Sequence, residues 1–282
     1  MYDIYYLNNL NEKINFVQWP YMVTGGDVFD NSYDAIEEDE YIHGFDRGIT
    51  KKKLSIDIKE NGVRFAKAVD ALEDITEKDI VNGSPGRLYV GSSYLKCWIT
   101  GTTKNKWIQD ICSISNELVI MTDYPYWINE KKFSFYKRSY NDPGDSSQFL
   151  EFPYGFPYEY AKVRNAKYLY NDHYTDSGFK MIIYGPCINP LIRISGHIYE
   201  LRTTLYDGEY AVIDSSTRYA KDRKIIKVKN DGTEENLFNS RNMDSEIWKK
   251  IPPGQNIVSW SGDFGFEIIL FNERGGPKWN LS

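Results

Sequence analysis

Short runs rich in β-branched and aromatic residues recur along almost the whole chain, each closed off by turn chemistry, and few architectures accept such a pattern. Leu54-Ser-Ile-Asp-Ile58 alternates apolar and polar side chains with period two, the repeat of a half-buried strand. Comparable runs lie at residues 87–90, 94–99, 118–121 and 133–136. The second half adds 181–184, 191–194, 197–201, 210–213, 224–229, 257–260 and 264–271. Two tight hairpins are signalled by Asp207-Gly208 and Asp231-Gly232, because glycine reaches the positive φ that a two-residue hairpin turn requires. Strands at this spacing, without regular helical crossovers, predict antiparallel sandwiches and not βαβ units.

One segment departs from that pattern. Phe65, Val69, Leu72 and Ile75 fall at i, i+4, i+7 and i+10, one face of a 3.6-residue period, which predicts a helix near residues 63–76. Asn61-Gly62 precedes it and Asn82-Gly-Ser-Pro-Gly86 follows as a breaker-rich loop. A second, weaker helical turn is expected around residues 244–250. At 282 residues the chain is long enough for two domains. The polar stretch at 139–149, with Pro143 and Gly144, reads as a linker, dividing a domain over 1–138 from one over 150–282. The segment Phe152-Pro-Tyr-Gly-Phe-Pro-Tyr158 cannot be a central strand, since proline lacks a donor, and its aromatics are expected to pack across the domain junction.

Charge and composition remove several function classes. A net charge of −6 and a pI near 5.3 argue against a generic nucleic-acid binder. No apolar run approaches the roughly 20 residues of a membrane-spanning helix, so no membrane insertion is expected. Met1-Tyr-Asp-Ile-Tyr5 has neither the basic start nor the apolar core of a signal peptide, so a soluble protein folded where it is made is expected. Cys97, Cys112 and Cys187 form no metal knuckle and no CxxC pair and read as small buried hydrophobes. Aromatic residues make up 16% of the chain, with 23 Tyr, a composition that favours strands and interfaces.

Catalytic chemistry is not legible. His43, His173 and His197 form no short metal-ligand cluster, and His197 reads as a packed or rim histidine. The chain has no GxSxG elbow, no GxxxxGK[ST] phosphate loop and no GxGxxG fingerprint. No catalytic, cofactor-binding or metal-binding residue is therefore assigned, and no enzymatic activity is expected. Trp248, Trp260 and Trp279 are candidates for sugar platforms, with core packing as the commoner use of such residues. The acidic stretch containing Asp27, Asp30, Asp34, Glu37, Glu38, Asp39 and Glu40 lacks the oxygen spacing of a calcium loop. Like charges this dense keep a segment solvated and extended.

Taken in order, a series of motifs resembles the phage distal tail protein (Dit) family of long-tailed phages and prophages of Gram-positive bacteria. The first half contributes Gly86-Arg-Leu-Tyr-Val-Gly-Ser-Ser-Tyr-Leu-Lys-Cys-Trp-Ile99 and Val119-Ile-Met-Thr-Asp-Tyr-Pro-Tyr-Trp127. The second half contributes Ile183-Tyr-Gly-Pro186, Ile194-Ser-Gly-His-Ile-Tyr199, Gly208-Glu-Tyr-Ala-Val-Ile-Asp214 and Asp231-Gly-Thr233 leading into Asn236-Leu-Phe-Asn239. Ile251-Pro-Pro-Gly254, Leu270-Phe-Asn-Glu-Arg274 and Pro277-Lys-Trp279 complete the series.

The resemblance implies a mainly β protein. Its N-terminal domain would be β-sandwich-like, akin to tail-tube proteins and carrying the helix, and its C-terminal domain a galectin-like β-sandwich. It implies a virion structural protein of the baseplate, made in the bacterial host cytoplasm and placed at the distal end of the tail. There a homohexameric ring would join the tail tube protein to the tail-tip hub or tail-associated lysin. Tape-measure or receptor-binding proteins are further partners, and DNA would pass through the lumen without specific binding. For such a ring, Asp27, Phe29, Asp30, Tyr33, Asp34, Glu37, Glu38 and Tyr41 are expected to form a subunit-contact arm. The three lysines Lys51, Lys52 and Lys53 should face away from the lumen or pair with acids, because phosphate contacts would hold the DNA. The alternative expectation is a glycan-binding tail-tip module that contacts host cell-wall polysaccharide.

Overall fold

The computed structural model describes residues 3–137, 167–215 and 223–278. The chain divides into two compact units, Met1–Glu130 with Glu273–Ser282, and Lys131–Asn272. The expected linker at 139–149, the aromatic segment at 152–158 and Trp279 lie outside the described residues. The C-terminal tail, assigned from the sequence to the second domain, belongs to the first unit. Arg47 donates to the carbonyl of Gly275 at 3.4 Å, Tyr124 Oη donates to the Glu273 carboxylate, and Lys278 N donates to Ser93 Oγ at 3.4 Å.

The first unit runs β1 (Ile4–Leu7), β2 (Lys13–Asn15), β3 (Tyr21–Gly26), β4 (Asp34–Glu38), β5 (Tyr41–Asp46), β6 (Thr50–Lys59), α1 (Gly62–Val81), β7 (Gly86–Val90), β8 (Ser93–Ile108), β9 (Ser113–Thr122) and the start of β10 (Trp127–Phe135). The long strand β8 serves two antiparallel sheets. Its first residues pair with β7 and β10, in a sheet that continues through β1 to β2. Its remainder, from Trp98 to Ile108, pairs with β9 in a four-stranded sheet ordered β3-β6-β9-β8. Alternation along β6 buries Leu54, Ile56 and Ile58 completely, and they meet Leu88, Leu95, Cys97, Leu118, Ile120 and Trp127 in one core.

Helix α1 closes this core with Ala68 and Leu72, while Phe65, Val69 and Ile75 pack at its margin, so the predicted apolar face is the face that packs. The helix runs five residues past the predicted end because its last inward positions are polar. Thr76 Oγ1 donates to the Leu72 carbonyl at 3.0 Å, and the fully buried Asp79 accepts from Tyr6 Oη at 2.5 Å and from Asn9 N at 2.8 Å. These bonds tie the last turn to β1 and compensate the burial of a carboxylate. Gly83 then enters the left-handed region at φ 62°, the usual residue just past a helix end.

The second unit contains the end of β10, β11 (Lys167–Asn171), β12 (Gly178–Tyr184), β13 (Cys187–Ile188), β14 (Leu191–Ile194), β15 (His197–Glu200), β16 (Thr204–Leu205), β17 (Tyr210–Asp214), β18 (Lys224–Val228), β19 (Glu234–Asn236), β20 (Gly254–Trp260) and most of β21 (Phe266–Arg274). One antiparallel sheet is ordered β19-β18-β17-β12-β21 and the other β11-β20-β14-β15, with a short β13-β16 ladder beside them. Phe179, Met181, Ile213, Ile268 and Leu270 from the first sheet share a core with Leu169, Ile192, Ile194, Tyr199 and Val258 from the second. This is the expected β-sandwich, with side chains of two inner faces forming one interior. Gly208 and Gly232 adopt φ 79° and 81° at the two Asp-Gly turns. Residues 244–250 do not form a helix. They hold a turn closed by Lys249 N donating to the Glu246 carbonyl at 3.1 Å, and among the described residues of this unit the short helical turn is a 3-10 turn at Phe238–Ser240.

Candidate functional site

The acidic segment between β3 and β6 is built in two parts. Its root packs on the first unit. Phe29 is half-buried with its ring 6.3 Å from that of Trp127. Asp27 Oδ1 accepts from Lys53 N at 2.5 Å, and the carbonyls of Asp27 and Asp30 accept from the Lys52 ammonium. Burial lowers the pKa of Lys52, and nearby Arg47 acts in the same direction while Asp27 and Asp30 oppose it. Arg47, only 3% exposed, closes the root. It donates to the Ser32 carbonyl at 3.1 Å and lies over the rings of Tyr33 and Tyr126 at 5.0 and 5.3 Å.

Beyond the root, β4 and β5 pair only with each other among the described residues and form a hairpin. Asp39 and Glu40 make its tip with φ of 50° and 68°, the twist that a primed hairpin turn requires. A bulge lies between Ile36 and Glu37. Almost every residue of the hairpin is exposed, including Ile36 at 51%, Tyr41 at 73%, Ile42 at 60% and Phe45 at 64%. Six carboxylates, Asp34, Glu37, Glu38, Asp39, Glu40 and Asp46, occur between residues 31 and 46, with no Lys or Arg among them. A two-stranded hairpin has little stability of its own in water, and contiguous exposed apolar groups mark interaction surfaces.

The eight residues singled out from the sequence thus separate into three groups. Asp27, Phe29 and Asp30 hold the root, Tyr33 sits under Arg47 at the hinge, and Asp34, Glu37, Glu38 and Tyr41 ride on the hairpin. Sequence reasoning missed Ile36, Ile42 and Phe45 on the hairpin and the anchoring roles of Arg47 and Lys52. The alternation Tyr41, His43, Phe45 was the available signal.

The three consecutive lysines do not form one basic face. Lys52 is buried as described, Lys53 pairs with Glu117 at 2.8 Å, and Lys51 is exposed. His197 Nε2 donates to the Glu246 carbonyl at 2.8 Å and stands edge-on to Tyr199, a packing role. Trp260 is 7% exposed and donates from Nε1 to the Phe264 carbonyl at 2.9 Å, and Trp248 packs against Phe238 with ring centres 5.7 Å apart and planes tilted by 35°. Both are therefore engaged within their own unit. The second unit also carries an open cleft of about 410 Å³, lined by Asn189, Arg193, Ser259, Ser261 and Asp263 with Cys187 at its wall. Among the described residues no group of three or more His, Cys, Asp or Glu side chains is placed to hold a metal ion.

No family model and no curated protein matches the chain. Solved structures do, and the fold they define is that of a phage baseplate component. A chain of the phage P2 baseplate in its activated conformation with calcium aligns with a TM-score of 0.63 at 11% identity, over 98% of this chain and 99% of that one. The strontium form gives 0.63 at 10% identity, over 98% and 100%. More particularly, the Dit protein of phage SPP1, described as a paradigm of the hub adsorption apparatus in phages infecting Gram-positive bacteria, aligns with a TM-score of 0.57 at 6% identity, over 97% and 99%. At identities this low the structural match establishes a shared fold alone, and the Dit-like fold implied by the motif series is the fold the chain adopts.

Proposed function

We propose that this chain is a virion structural protein, a distal tail hub of the Dit type. In this reading six copies form a ring at the distal end of the tail, with the tail tube on one side and the tip hub or tail-associated lysin on the other. The observation that carries it is the end-to-end likeness to the SPP1 hub protein, which spans both units and leaves almost none of either chain unmatched. The exposed hairpin supports the same reading, because a ring is built from a contact in which one patch of each copy meets a different patch of the next, and the hairpin is an exposed apolar and acidic patch. In this reading the first unit makes the ring contacts and the second unit meets tape-measure, receptor-binding or tip proteins.

A channel for DNA must avoid a continuous basic wall. Of the outward lysines of β6, Lys53 pairs with Glu117 and Lys59 lies 3.8 Å from Asp57, while Lys51 is exposed. Native mass measurement of the intact chain tests the proposal. Six times the 32.9 kDa chain mass is the expected species, and a chain that stays monomeric across the accessible concentration range refutes it. The second reading, carbohydrate binding by the second unit, is favoured by one observation, the cleft in which the exposed Arg193 and Asp263 stand beside Asn189 and two serines. Saturable binding of a cell-wall polysaccharide by the intact chain, lost in Arg193→Ala, would support it.

A further inference from the structure

We infer that the acidic hairpin β4–β5 of one copy docks along the free edge of β8 in the next copy, adding its strands to the β3-β6-β9-β8 sheet. This rests on the ring reading above and names the contact that would close the ring. Past Cys97, β8 pairs with β9 alone among the described residues, so residues 103–108 present unpaired backbone donors and acceptors. An extended segment completes such an edge by main-chain hydrogen bonding, and its side chains decide which partner is accepted.

The side chains of the two surfaces are complementary. Residues 101–108 read Gly-Thr-Thr-Lys-Asn-Lys-Trp-Ile, with two lysines and no acid, whereas the hairpin has six acids and no Lys or Arg. Lys104 is partly committed to Glu73 on α1, at 2.6 Å, which leaves Lys106 as the more available cation. Apolar surface matches as well. Trp107 is 66% exposed and Ile111 62%, against Ile36, Tyr41, Ile42 and Phe45 on the hairpin. Lysines on an edge strand repel indiscriminate pairing. An acidic partner turns that repulsion into selectivity, because apolar or basic strands leave the ammonium groups unpaired.

Topology fixes the kind of contact. The hairpin springs from the β3–β6 connection, at one edge of the four-stranded sheet, and β8 is the opposite edge. One copy therefore offers the hairpin on one side and receives a hairpin on the other. A contact between two different patches repeats head to tail and closes into a ring when its rotation allows.

Charge reversal in the full chain tests the inference. The hairpin variant Glu37→Lys with Glu38→Lys, the edge variant Lys104→Glu with Lys106→Glu, and the four-fold combination are compared with the unaltered chain by native mass measurement over a dilution series. Thermal melts verify that each variant is folded. Each reversed pair is expected to weaken assembly by roughly tenfold or more, with the loss reduced at high salt, and the combination to regain most of it. Folded reversal variants that assemble like the unaltered chain, or a combination no better than its weaker parent, overturn the contact and leave the ring reading standing. An unaltered chain that never assembles overturns both.

Discussion

Replacing Arg47 with methionine keeps most of the buried stem and removes the guanidinium that clamps the hairpin root. The lost interactions include hydrogen bonds to the carbonyls of Ser32 at 3.1 Å and Gly275 at 3.4 Å, and the placement of the cation over Tyr33 and Tyr126. A hydrogen bond involving a charged group contributes about 1.5–3 kcal/mol, and a cation over an aromatic ring about 0.5–1 kcal/mol when exposed and about 2 kcal/mol when desolvated. The longer bond lies at the weak end, and relief of the buried charge offsets part of the loss. The expected net cost to the first unit is about 2–4 kcal/mol, a fall in Tm of roughly 3 °C per kcal/mol for a unit of this size. Hydrogen exchange read residue by residue gives the sharper assay. Amides of residues 34–46 should exchange much faster in Arg47→Met while those of β6 and β9 stay protected, because among the described residues β4 and β5 pair only with each other. A melt unchanged within about 1 °C, together with an unaltered exchange pattern in the hairpin, would refute the anchoring role.

Other expectations follow from the same structure. Tyr6→Phe removes one of two donors to the fully buried Asp79 and should destabilise the first unit by about 1–3 kcal/mol in a denaturant titration. In the second unit, the hydrogen bond from Lys227 and then that from Tyr206 N lower the pKa of Glu209. A carboxylate with a lowered folded pKa supplies stability above its unfolded pKa and loses it as pH falls through the folded value. Acid titration should therefore show Glu209→Gln removing part of the stability loss seen below about pH 4.5. The Cys97 thiol is buried and its pKa is pushed up to about 12, so native alkylation at neutral pH should spare it and modify the more accessible Cys112, with Cys97 labelled only on unfolding.

Much of the fold was legible because its signals are local. The period-two run at 54–58 lies within β6, the apolar spacing from Phe65 to Ile75 lies within α1, and both Asp-Gly pairs turn where expected. Polar positions hid the rest. Thr76 and Asp79 extend the buried face of α1 through hydrogen bonds with sequence-distant or main-chain partners, which no hydropathy period reveals. The outer half of β8, Gly-Thr-Thr-Lys-Asn-Lys, has no alternation because neither of its faces is buried over residues 103–107. The hairpin was legible as an acidic, extended segment and not as strands, since its tip is Asp39-Glu40 where Asn-Gly or Asp-Gly is the recognisable signature. Its anchor, Arg47, binds a carbonyl 228 positions away, a tertiary fact that sequence spacing does not carry.

Electron microscopy of the purified full chain in negative stain addresses the central claim most directly. Rings with six-fold symmetry, an open centre and lobes at the periphery are the expected particles. A uniform field of single, ring-free particles at concentrations where native mass measurement also finds one copy would contradict it.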